Sequence, residues 1–338
     1  MSEAGNIQGI YENIIGVRER ETALRYWAEL GYQPVKEGRL EANQAESLYG
    51  IKAGLTALRL QNGATNTHGM LRLWLWDKPL APGLGLVRPL TVGSRWFTSR
   101  TADIMQLRDA YMDAVAQGEK WLVSDLVRNI IRQGQQGAGF YERFVGVREM
   151  MVLGAETRQV FFQRYGYDVP GYGVLDPASP LAVSEGTHMG IVVPDLTQLD
   201  FYTEVLGLKL ENRYEVPAAQ PDPRSEVVVP GNNPDLHVLM RRPGETYAYA
   251  TLVTPQAKVG RIYLVMPQDP RPDMRDQSGP GVAGLCLATY RVSNLAEYHQ
   301  RVSESKAGEV SLVQSNEFGE SSFSFTAPDG VKWALLSQ

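Results

Sequence analysis

Two stretches of the chain share one alternation of apolar and polar positions. Residues 13–32 read NIIGVRERETALRYWAELGY, and residues 188–208 read HMGIVVPDLTQLDFYTEVLGL. Each opens with a short apolar run of strand character, continues with apolar residues at helical spacing, and closes on Leu-Gly before a new strand. At an offset of 175, Thr22 meets Thr197, Leu24 meets Leu199, Tyr26-Trp27 meets Phe201-Tyr202 and Glu29 meets Glu204. One inserted residue then brings Leu30-Gly31 onto Leu206-Gly207. In the later copy Asp195 or Thr197 can cap a helix, Leu199, Tyr202 and Leu206 form its packing face, and Gly207 suits the left-handed position beyond its end.

The same strand–helix–strands order is fainter at two further places. A run over 94–99 leads to a helix near 102–116, then to strands over 121–131, 142–152 and 158–164. A run over 285–292 leads to a helix over 295–303, then to strands over 310–314, 322–326 and 331–336. After the repeat at 188–208 the pattern predicts strands over 209–216, 225–229, 236–240 and 246–253, separated by Pro, Gly, Asn and Asp. Four such units predict an α+β fold. The Gly-, Pro- and Ser-rich stretch 166–186 reads as a linker between lobes at 8–165 and 187–338, and 267–280 as a loop.

Length and composition fit two globular domains: 338 residues, 43% hydrophobic and 21% charged. The net charge of -5, with basic pairs as short as Arg241-Arg242, argues against a nucleic-acid partner. The single cysteine, Cys286, lies between Leu285 and Leu287. It precludes an internal disulfide and a cysteine-rich zinc site, and reads as a buried strand residue. The opening Met-Ser-Glu-Ala-Gly-Asn lacks the features of a secretory signal, and no run reaches the roughly 20 apolar residues a membrane span needs. A cytoplasmic location without membrane attachment is the expectation; self-association stays open. No dinucleotide-binding glycine motif, phosphate-binding loop or nucleophile elbow is present.

Three segments carry a resemblance: His188-Met-Gly-Ile-Val-Val-Pro-Asp195, then Phe201-Tyr202 through Leu206-Gly207, and the closing Thr326-Ala-Pro-Asp-Gly330-Val-Lys-Trp-Ala-Leu-Leu336. In these the chain resembles the vicinal-oxygen-chelate superfamily of glyoxalases, bleomycin-resistance proteins and extradiol dioxygenases. With four units it resembles the two-lobed dioxygenases of that group. The resemblance implies four βαβββ modules paired into two cupped mixed sheets. One lobe would hold a divalent metal, such as iron or manganese, that chelates two adjacent substrate oxygens. The other would be architectural.

The resemblance also implies where metal ligands belong, on the opening and closing strands of the modules. His188 stands at the first position. The second falls near Leu285 or Leu287, with Cys286 pointing to the opposite face, and the third falls on Ala334. In the first lobe the counterparts of His188 and Ala334 are Asn13 and Phe161. Two of the three ligand positions therefore lack coordinating side chains, and no metal is expected.

The expected function is binding or transforming a small, aromatic organic molecule without metal. His188 would act as cavity-floor polar group or general acid–base, and His237, Leu287, Ala334 and Tyr249 would complete the ligand site. If enzymatic, the reaction would be of lyase, isomerase or dioxygenase type. Two alternatives stay open: a metal-dependent extradiol-type dioxygenase or lyase, and a non-catalytic sequestering protein. His68 is expected on a hairpin tip and His299 on a solvent-facing helix position.

Overall fold

The structure, a computed structural model, describes residues 6–132, 145–216, 246–255 and 259–338. Its first module contains β1 (Ile7–Gly16), α1 (Arg20–Glu29), β2 (Tyr32–Leu40), α2 (Ala42–Tyr49), β3 (Leu55–Asn62) and β4 (Met70–Trp76). The second contains β5 (Arg95–Thr101), α3 (Ile104–Ala116), β6 (Leu122–Val123), β7 (Val127–Arg132), β8 (Val145–Leu153) and β9 (Arg158–Tyr165). The third contains β10 (Val183–Val192), a π-helical turn (Phe201–Val205), β11 (Lys209–Val216), β12 (Tyr247–Val253) and β13 (Arg261–Pro267). The fourth contains β14 (Gly284–Val292), α4 (Leu295–Ser303), β15 (Gln314–Ser315), β16 (Ser321–Thr326) and β17 (Lys332–Ser337). The strands expected over 225–229 and 236–240, with His237, lie outside the described residues.

Local chemistry fixes the element ends. Glu19, Asp103 and Asn294 accept from free N–H groups at the heads of α1, α3 and α4. The segment after Asp195 departs from the expected regular helix. Its side chain takes Thr197 N at 2.8 Å, but Leu206 N reaches back five residues to Phe201 O at 3.1 Å, which makes a wide turn.

Two mixed sheets result, as the resemblance implies, but each is assembled from modules in an unexpected pairing. One runs β15-β16-β17-β14-β1-β4-β3-β2, and the other β11-β12-β13-β10-β5-β9-β8-β6 with β7 also on β8. The first sheet joins modules one and four through antiparallel β1 and β14, Ile14 opposite Leu287. The second joins modules two and three through β5 and β10, Thr98 opposite His188. This corrects the division into lobes at 8–165 and 187–338. Residues 166–186 connect two modules of one sheet, and the chain crosses between sheets around 77–94 and 268–283. Arg158 ties down the earlier crossing, donating to Gly85 O at 2.7 Å and Val87 O at 2.8 Å.

One core unites the sheets through the helices. Trp27 of α1 packs on Phe97 of β5 with centroids 5.8 Å apart, and Phe201 of the π-helical turn meets Phe325 of β16 at 5.8 Å. Residues of both sheets and all four modules belong to this cluster. The opposite face of each sheet carries its own smaller cluster, one around Trp74, Cys286 and Phe318, the other around Trp96, Met151 and Val265. Alternation therefore gives the central strands one side toward the shared core and one toward their own concavity.

Candidate active site in the second sheet

His188 stands on β10, on the concave side of the second sheet. Its direct ladder partners are Thr98 on β5 and Arg261 on β13. Beside it Gly190 leaves room for Trp96, since a Cβ there would lie 2.2 Å from the indole. A cavity of about 640 Å³ opens above, lined by Phe162, Arg164, Tyr167, Tyr172, His188, Arg261 and Tyr263, by Glu149 and Glu211, and by Val147, Val169 and Val253.

The wall around His188 is aromatic. Tyr172 lies parallel to the imidazole, with 2° between the ring planes and centroids 6.1 Å apart. Phe162 lies 6.0 Å away, and Tyr263 meets the imidazole edge-on at 5.2 Å. Nδ1 is engaged by the Tyr172 hydroxyl at 2.6 Å and sits 3.0 Å from Thr187 Oγ1, whose own proton goes to Thr98 O at 2.9 Å. Nε2 has no hydrogen-bond partner among the described residues and is open to the cavity. Burial, aided by the Arg261 and Arg164 charges, pulls the His188 pKa down to about 3. The ring is neutral at physiological pH, so it is a poor proton shuttle there.

Two guanidiniums flank the ring. Arg164 donates to Tyr172 O at 2.8 Å and Asp168 Oδ1 at 3.2 Å, and sits over the Phe162 and Tyr172 rings at 5.2 and 5.0 Å. Arg261 pairs with Glu211 Oε1 at 2.8 Å, an ion pair about one-third exposed on both sides. Its Nε is buried and lacks a partner. Burial acts against the Arg261 charge, but Tyr263 and Glu211 hold its pKa above the ordinary value.

A divalent metal does not fit this donor set. Beside His188 stand a threonine hydroxyl and a guanidinium, β9 contributes Phe162 and Arg164, and the two lining carboxylates, Glu149 and Glu211, do not gather with His188 into a ligating cluster. Positive charge repels a cation, and phenylalanine offers no lone pair. Among the described residues no three His, Cys, Asp or Glu side chains gather in a ligating cluster.

The first sheet's concavity is filled by charge instead. Glu12 accepts from Arg59 Nε at 2.6 Å, from Arg72, and from Thr289 Oγ1 at 3.1 Å. Arg72 also donates to Glu317 Oε2 at 3.1 Å, which takes the Tyr49 hydroxyl at 3.0 Å. Arg59 makes two bonds to Glu320, at 2.9 and 2.7 Å. Helix α2 lies over this face, burying Ala45, Leu48 and Tyr49.

The expected site residues separate accordingly. Leu287 and Ala334 belong to the first sheet's cluster with Cys286, so they cannot line a cavity with His188; the assumption that modules three and four pair is what misplaced them. Cys286 is buried as expected, its thiol donating to Ile14 O at 3.4 Å. Tyr249 is on the second sheet, 6.2 Å from Tyr263, beyond the immediate lining. Asn13 and Phe161 face the shared core side, buried. His68 approaches Glu185 at 3.4 Å. His299 is not solvent-facing, because it packs on Phe323 at 5.0 Å and Nε2 lies 3.0 Å from Ser311 O.

Sequence reading missed Tyr172, Phe162, Arg164, Arg261 and Tyr263. The alternation Arg261-Ile-Tyr263 on a closing strand is a usable signal, but only once β13 is known to lie beside β10. Tyr172 sits in the segment read as a linker and gave none.

Residues 187–335 match the family described as the Glyoxalase/Bleomycin resistance protein/Dioxygenase superfamily. No curated protein matches the sequence. Glyoxalase I from Zea mays is similar in structure, with TM-score 0.52 and 14% identity over 97% of this chain and 92% of that one. A candidate dioxygenase from Bacillus subtilis gives TM-score 0.57 and 10% identity over 99% and 86%. At these identities the likeness is one of fold. Residues 187–335 are thus similar in sequence to the glyoxalase, bleomycin-resistance and dioxygenase superfamily, and the four modules in two sheets share the fold of these two proteins.

Proposed function

We propose that the second sheet's concavity is a metal-independent binding site for a small organic molecule with an aromatic ring. The observation that carries the reading is the cavity itself: about 640 Å³, the scale of a drug-sized ligand, walled by aromatic rings with one imidazole nitrogen open to it. His188 acts as the polar contact that orients the ligand. With its pKa at about 3 it serves hydrogen bonding rather than acid–base exchange, which favours capture of the ligand over proton-transfer chemistry by this residue.

Calorimetric titration with 2-naphthol, a neutral aromatic probe, tests the site. Phe162→Ala should abolish measurable binding. His188→Ala should weaken it by about three- to tenfold, the value of one hydrogen bond, with the melting temperature nearly unchanged. Binding untouched by both substitutions, or a His188→Ala protein that loses several kcal/mol of stability and keeps affinity, would make the histidine structural.

A further inference from the structure

We infer that the ligand of this site is an aryl monocarboxylate, held by the Arg261 guanidinium. The inference rests on the binding-site reading above and narrows it. Arg261 is the parallel ladder partner of His188, so both side chains leave the sheet on the same face and reach the same cavity.

A dication holds two adjacent oxygens by charge. A guanidinium can do so through parallel N–H groups, with geometry that matches a carboxylate. Arg261 is available for this. Its Nε–H is buried without a partner, and a buried unmade donor carries a desolvation penalty that an incoming acceptor relieves. Its present contact, Glu211, is partly exposed, so water screens the pair and ligand oxygens can share or displace it. Arg164, its side chain only 2% exposed, adds a second fixed positive charge.

The other charges limit the ligand. Glu149 and Glu211 line the same cavity and disfavour a second negative charge, so a phosphate dianion is excluded where a monocarboxylate is accommodated. The ring of the ligand is set by the parallel rings of His188 and Tyr172 on one side and by Phe162 and Tyr263 around them, with Nε2 of His188 as the hydrogen-bonding group for a ligand oxygen or hydroxyl.

The test compares 1-naphthoate, 1-naphthalenemethanol and 1-naphthyl phosphate by calorimetry on the full chain, wild type, Arg261→Gln, Arg261→Lys and Phe162→Ala. Wild type should prefer naphthoate to the alcohol by about tenfold or more, and the phosphate should bind more weakly than naphthoate. Arg261→Gln should erase the preference while leaving the alcohol within about twofold, and Arg261→Lys should restore only part of it, since an ammonium is a point charge. Equal wild-type affinity for acid and alcohol, or tightest binding of the phosphate, overturns the carboxylate inference. Provided Phe162→Ala still weakens all probes, such a result leaves the pocket reading intact. If no probe binds more tightly than about 1 mM, or Phe162→Ala changes nothing, both readings fall.

Discussion

Replacing Glu12 by glutamine should destabilise the protein by about 3–5 kcal/mol without touching ligand binding. Glu12 is fully buried, and its carboxylate takes bonds from Arg59, Arg72 and Thr289. The surrounding set balances three arginines (Arg59, Arg72, Arg291) against three glutamates (Glu12, Glu317, Glu320). Two unit charges about 4 Å apart interact by about 4 kcal/mol at an effective dielectric near 20. Glutamine keeps the shape but leaves one guanidinium charge uncompensated and turns an amide NH2 toward it, and breaking a buried pair in this way costs about 3–5 kcal/mol. Urea unfolding followed by tryptophan fluorescence reads the change, since Trp74 lies in the same concavity. Adding Arg72→Met removes the opposite charge and should recover part of the loss. A loss below about 1 kcal/mol, or strict additivity in the double variant, would show that water screens the network and refute the argument.

Other outcomes follow from single groups. Because the folded state holds His188 near pH 3 while an unfolded histidine titrates near about 6.5, the unfolded chain binds a proton that the native state refuses. Stability should therefore fall as pH drops from about 6.5 toward 3, and an NMR titration placing His188 near 6.5 would contradict its burial. Glu320 is half-buried, and against that partial desolvation Arg59, Asn316 and Arg72 hold its pKa down to about 2; its contribution should be complete above about 4.5 and lost as pH falls toward 2, and Glu320→Gln should flatten that part of the acid-unfolding curve. Burial pushes the Cys286 thiol up to about 12, so it should resist aromatic disulfide reagents at pH 8 until urea unfolds the chain; rapid native labelling would show that the strand opens. Gly190→Ala would set a methyl 2.2 Å from the Trp96 indole. It should lower stability by about 1–3 kcal/mol and alter Trp96 emission, whereas an unchanged spectrum would mean the indole has room to move.

Much of the local structure was legible in the amino-acid order. Period-two runs and helical spacing set the module order and many element ends, because these are short-range effects of backbone hydrogen bonding and side-chain alternation. The burial of Cys286 was equally visible. Which modules share a sheet was not. β1 and β10 each open a module, yet β1 joins β14 and β10 joins β5, because edge-to-edge pairing of opening strands depends on long-range packing that local patterns leave degenerate. That choice decided the site. It set Leu287 and Ala334 on the other sheet beneath α2, put Arg261 and Thr98 beside His188, and brought Tyr172 from an irregular segment to within 2.6 Å of its ring. A residue's type is written in the chain, but the low-dielectric neighbourhood that lowers a histidine's pKa, or leaves an arginine N–H unpaired, exists only after distant strands have met.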